Sequence, residues 1–75
     1  MIKSELTFAE AVKKLREELN LTQELLAQTL KVSFPTVNKW ENNKTKPLRS
    51  IRSNLVEFAK GKNLSEDIIY ALENA

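Results

Sequence analysis

Cysteine and histidine are both missing from this chain, glycine occurs once and proline twice. Without thiolate or imidazole groups, the nucleophilic, acid–base and metal chemistry that depends on them is excluded, and nothing points to an oxidising compartment. The scarcity of glycine and proline favours helices over a turn-rich sheet. Long hydrophobic runs are missing too. The opening stretch MIKSELTFAEAVKKLREE carries a charge every few residues, so it offers no apolar segment for a signal peptide or a membrane span. A cytoplasmic protein is expected, with no membrane partner. There is no internal repeat and no low-complexity tract. What remains is an ordinary globular composition, 41% hydrophobic and 29% charged over 75 residues. That length predicts one domain, 1–75, with a core near the lower limit of what folds without disulfides or metals.

The net charge of +2 hides an uneven distribution. Residues 1–30 hold four bases against five acids, and residues 53–75 hold two against four. Residues 31–52 hold six bases (Lys31, Lys39, Lys44, Lys46, Arg49 and Arg52) against Glu41 alone, a balance of +5. A charge run is often just a solvated face, but a concentration of one sign in the middle third is also what attracts a polyanion.

Apolar periodicity predicts an all-α chain of five helices, at about 8–19, 23–30, 34–42, 47–60 and 65–73. Thr7 and Glu10 form a capping-box pattern ahead of Phe8, Ala11, Val12, Leu15 and Leu19. Asn20 suits a left-handed end, and Thr22 caps a second helix with Leu25, Leu26 and Leu30 on its apolar side. Lys31, Val32 and Ser33 make a tight corner. Ser33 or Phe34 caps the third helix, whose first turn tolerates Pro35 because that N–H has no intrahelical partner. Pro47 suits the first turn of a fourth helix through Leu48, Ile51, Leu55 and Phe58, ended by Gly61. Ser65 caps a short fifth helix through Ile68, Ile69 and Leu72.

Gln23, Ala27, Val32, Val37 and Trp40, followed by WENNKTKP, resemble the helix-turn-helix of the phage repressor and Cro proteins, the XRE family. The likeness covers about Phe8 to Ile69 and is strongest from Leu19 to Pro47. It implies a five-helix lambda-repressor-like domain that binds operator DNA, with helices 2 and 3 as the helix-turn-helix. Physical reasoning agrees: Ala27 is small where helices cross, and Leu30, Val32, Val37 and Trp40 plug the angle between them as structural core. Trp40 is read as packing, since one aromatic makes no stacking ladder. Two positions depart from the family pattern. Lys31 stands at a turn position where glycine is usual, at a steric cost of roughly 1 to 2 kcal/mol if left-handed. Asn43 stands in place of another glycine, and asparagine tolerates that geometry better.

With Val37 and Trp40 inward, a 100° step per residue turns Pro35, Asn38 and Lys39 outward and leaves Ser33 and Thr36 at the leading end. Ser33, Phe34, Pro35, Thr36, Asn38 and Lys39 are therefore expected to enter the major groove. Lys39 suits the acceptors of guanine, with a phosphate contact or plain solvation as its alternative; Asn38 suits adenine. Phe34, about 90° from the inward face, either covers the core edge or meets a thymine methyl. Gln23, which the resemblance places on the backbone, is grouped with Asn42, Lys44, Lys46 and Arg49 as phosphate contacts.

No glycine-rich phosphate loop or catalytic motif accompanies the acids Glu10, Glu17, Glu18 and Glu24, so no enzyme activity and no cofactor are expected. The expected function is sequence-specific double-stranded DNA binding by a transcriptional regulator, a repressor acting as a homodimer. Two alternatives stand beside it: a DNA-binding antitoxin with a protein partner, and a helical module that binds no DNA. The charged middle third argues against the latter. A dimer interface is expected on helix 5 at Ile68, Ile69, Tyr70 and Leu72, whose apolar arc spreads over about 200°, with closure of the chain's own core as the alternative.

Overall fold

The computed structural model describes residues 6–74. These form α1 (Phe8–Glu18), α2 (Gln23–Leu30), α3 (Phe34–Glu41), α4 (Arg49–Gly61) and α5 (Glu66–Asn74), with no strand among the described residues. α1 starts at a complete capping box. Thr7 Oγ1 accepts from the Glu10 backbone N–H at 3.1 Å, and Glu10 Oε1 accepts from the Thr7 N–H at 3.0 Å. Thr22 caps α2 through the Leu25 N–H and Ser33 caps α3 through the Thr36 N–H, each satisfying a first-turn donor that has no partner inside its helix.

The first four helices all close in the same way. Asn20, Lys31, Asn43 and Asn63 have φ between 57° and 61°. Each donates its N–H three residues back: to Glu17, Gln28, Trp40 and Lys60 respectively. The next residue in each case (Leu21, Val32, Lys44 and Leu64) donates five residues back, to Arg16, Ala27, Lys39 and Ala59. This paired 5→2 and 6→1 pattern is the Schellman closure, which turns the chain sharply while satisfying carbonyls at the helix end. Leu21, Val32 and Leu64 then pack against the core, whereas Lys44 is exposed.

α4 ends at Gly61 as expected, and the positive φ that closes it falls to Asn63. One sequence expectation is corrected: Pro47 is not in the first turn of α4. Leu48 holds the extended N-cap conformation and the helix begins at Arg49, so the proline fixes the approach to the helix rather than its first turn. At the start of α5, Ser65 Oγ donates to Asp67 Oδ1 at 2.7 Å.

The core takes one stripe from each helix: Phe8, Ala11, Val12 and Leu15; Leu26, Ala27 and Leu30; Val37 and Trp40; Leu55, Val56 and Ala59; Ile68, Ala71 and Leu72. α1 packs on α5 and α3, α2 on α3, and α4 on α5. Phe8 meets Trp40 edge-to-face, with ring centroids 6.1 Å apart and planes at 77°, a favoured aromatic geometry. Arg52 lies 5.5 Å over the Phe8 ring and donates to the Glu73 carbonyl, tying α4 to α5.

The placement of α5 corrects the expected dimer face. Ile68 and Leu72 are fully buried in the chain's own core, and Ile69 is partly buried against it. A residue inside its own domain has no surface to offer a second copy. Only Tyr70, 55% exposed, stands clear on this helix among the four residues.

Candidate nucleic-acid interface

The corner between α2 and α3 depends on one backbone conformation. Lys31, at φ 61° and ψ 42°, lies in the left-handed region and turns the chain within three residues. Ala27 and Leu30 on one side and Val37 and Trp40 on the other are buried, with Val32 packed against them. The corner is therefore held by packing strong enough to keep a β-carbon where glycine is easier. This fixes α3 with Val37, Trp40 and Glu41 inward, and the opposite side of the helix faces solvent.

On that side Ser33, Phe34, Pro35 and Lys39 are exposed, while Thr36 and Asn38 are half-buried. Phe34 keeps 45% of its surface accessible, so its ring lies largely outside the core. Ser33 Oγ and Thr36 Oγ1 are 2.7 Å apart and share a hydrogen bond. Beyond α3, Asn42, Asn43, Lys44, Thr45 and Lys46 are all exposed. Lys44 takes the position that holds Leu21, Val32 or Leu64 at the other three corners, yet it points a charge into solvent instead of an apolar group into the core. Arg49 opens α4, whose N-cap residue Leu48 makes no side-chain hydrogen bond to the first turn. Backbone N–H groups and the positive helix end are thus grouped with Lys44, Lys46 and Arg49 along one chain segment.

Three of the predicted site residues are joined to one another within the protein. Asn38 Nδ2 donates to Gln23 Oε1 at 3.2 Å, and Asn42 Nδ2 donates to Asn38 Oδ1 at 3.1 Å and to the Asn38 carbonyl at 2.8 Å. Asn38, expected to meet adenine, thus has an intramolecular partner at each end of its amide, with a second N–H and a second oxygen lone pair beyond those bonds. Asn42, the C-cap of α3, likewise has its side-chain nitrogen engaged on its own helix. Gln23, half-buried, donates from Nε2 to Glu41 Oε1 at 3.0 Å.

Glu41 was not among the residues singled out from the sequence. It is 6% exposed and forms a two-pronged pair with Arg16 of α1: Nε to Oε2 at 2.7 Å and Nη2 to Oε1 at 3.0 Å. Arg16 also donates from Nη1 to the Leu21 carbonyl at 3.2 Å. Burial pushes the Glu41 carboxyl up, but the hydrogen bonds from Arg16 and Gln23, with the charges of Arg16 and Lys13, outweigh it and hold the group below its ordinary value. It is ionised at neutral pH. The same bond raises the Arg16 guanidinium, against the opposing effect of burial. The signal was there in the spacing. Glu41 lies four residues after Val37, on the inward side of α3, where a carboxylate needs a partner. Nothing in the spacing named Arg16.

No helix in the described residues is long and apolar enough to cross a membrane. Comparison with curated proteins and with solved structures returned no match. A family model described as helix-turn-helix matches residues 12–50, from the middle of α1 to the first turn of α4. The match spans the left-handed corner, the inward Val37 and Trp40, and the basic loop, which are the same features that orient the exposed side of α3. On that coverage and that geometry the chain belongs to the helix-turn-helix family of XRE type, an all-α DNA-binding domain of the transcription-regulator kind.

Proposed function

We propose that the protein is a sequence-specific double-stranded DNA-binding repressor that reads the major groove with α3. The observation that carries this reading is the coincidence of exposure and charge. The outward side of α3 and the loop after it hold Lys39, Lys44 and Lys46, and Arg49 follows at the next helix start, within a 22-residue stretch of net charge +5. Ser33, Phe34, Pro35, Thr36 and Lys39 are the base-facing set. Lys39 donates to guanine O6 and N7, and the Phe34 ring meets a thymine methyl. Lys44, Lys46, Arg49 and Gln23 hold the phosphates, fixing register without reading sequence.

A single recognition helix buries little surface, so two copies on a near-palindrome are expected, with their α3 helices about 34 Å apart, one turn of the duplex. Tyr70 and the outer edge of Ile69 are the parts of α5 left to join them. Selection from random duplex DNA tests the whole reading. It should return one motif with two-fold symmetry, bound more weakly as salt rises. Recovery of unselected sequence, or no binding at low salt, would refute it.

A further inference from the structure

The side chains that link the interior to the outward side of α3 form a chain with a direction. Glu41, ionised and acceptor-only, must face a donor, so Gln23 turns its nitrogen inward. The Gln23 oxygen then faces Asn38, which must answer with its own nitrogen, and the Asn38 oxygen is left to accept from Asn42. An amide is otherwise free to present either end, so one buried charge sets the polarity of Gln23 and Asn38 in succession, and Asn42, whose nitrogen the Asn38 carbonyl also holds, closes the chain with the matching donor.

We propose that Asn38 is a positioning residue for DNA binding: it holds the Gln23 amide in the orientation dictated by Glu41, so that Gln23 meets a phosphate with a pre-set donor, and it reads no base itself. The inference rests on the DNA-binding reading above and assigns a role within that site. Gln23 Nε2 has two hydrogens. One goes to Glu41, and the second is what a phosphate oxygen takes. With the far side of the amide pinned by Asn38, little rotamer freedom remains to be lost when DNA arrives. The low Glu41 carboxyl keeps the acceptor end fixed throughout the neutral range.

The test has two arms, on DNA and on the free protein. Asn38→Ala, Gln23→Ala and the double variant are compared on the selected operator and on single-base variants of it; Asn38→Ala introduces a strong helix former, and thermal melts check that the fold persists. Asn38→Ala should weaken every duplex by roughly three- to tenfold with the sequence preference unchanged. The double variant should bind about as well as Gln23→Ala alone, because the two residues act as a unit. A changed preference at one base position, or losses that multiply, would overturn the proposal. In the free protein, the Gln23 side-chain amide protons should exchange slowly with solvent, and Asn38→Ala should speed them while the backbone amides of α3 stay protected. Unaltered side-chain exchange would overturn the relay without reference to DNA. An unmutated protein that selects no duplex would overturn the DNA reading, and the positioning role with it, while the exchange data still decide whether the relay exists.

Discussion

Among single residues, the four with positive φ in the described part of the chain set the conditions for the helix ends. Three are asparagines, the side chain that tolerates this region best after glycine, and one is Lys31. Replacing Lys31 by glycine removes the steric penalty while adding disorder to the unfolded chain, so Lys31→Gly should raise stability by about 1 kcal/mol in urea unfolding. The one glycine in the chain presents the opposite case. Gly61 is helical and exposed, and a β-carbon there meets nothing within 4 Å. Gly61→Ala should therefore stabilise by about 0.5 kcal/mol, less than in a mid-helix position because it sits in the last turn. Glu41 contributes to the response to acid. Its carboxyl is held below the usual value of 4.5, so in the window beneath that value the unfolded chain binds the proton more readily than the folded one. The stability it contributes is complete above 4.5 and is lost as pH falls through the lower folded value. Glu41→Ala should remove that pH dependence and cost about 3 kcal/mol by leaving Arg16 without its partner, measurable as a lower urea midpoint at pH 7.

Among the elements, α3 was the most legible and α5 the least. The inward pair Val37 and Trp40 and the cap Ser33 follow from helical spacing and from a hydroxyl ahead of a proline-containing first turn. Those signals are local, and one helix contains them all. The engagement of Asn38 was not legible, because its partner Gln23 sits 15 residues away on another helix and no periodicity encodes such a meeting. In α5 the apolar arc was plain, but an arc does not say whether it faces its own chain or another. Packing against α1 and α4 resolves it: Ile68 and Leu72 lie inside. Leu72→Ala should accordingly cost about 3 kcal/mol of stability in urea unfolding, whereas Tyr70→Ser should leave the melt nearly unchanged. The proposed division between base reading and phosphate holding is tested at Lys39 and in the loop beyond α3. Lys39→Ala should cost roughly 1 to 3 kcal/mol and relax one base position, while Lys46→Ala should weaken all duplexes alike and lower the salt slope by about one, both read from binding titrations over salt.

For the whole molecule, the helix-turn-helix packs on elements outside the matched segment. α3 rests on α1, which precedes that segment in part and is itself covered by α5, which follows it; Phe8 packs on Trp40, and Ile68 and Leu72 complete the cluster. If Tyr70 and Ile69 join two copies, sedimentation of Tyr70→Ser should show a folded monomer that loses cooperative binding to the full operator, whereas Leu72→Ala should lose stability before it loses association. The packing of the first helix on the last also bears on how the protein is made. A ribosome adding about 5 to 20 residues per second needs roughly two to seven seconds to go from the end of α3 to the end of α5. Throughout that interval α1, α2 and α3 are already synthesised, with the part of α1 that packs on α5 still uncovered. α3 therefore gains its full support only once α5 has been made and has covered α1, so a nascent chain stalled inside α4 should hold α3 without the support that aims it.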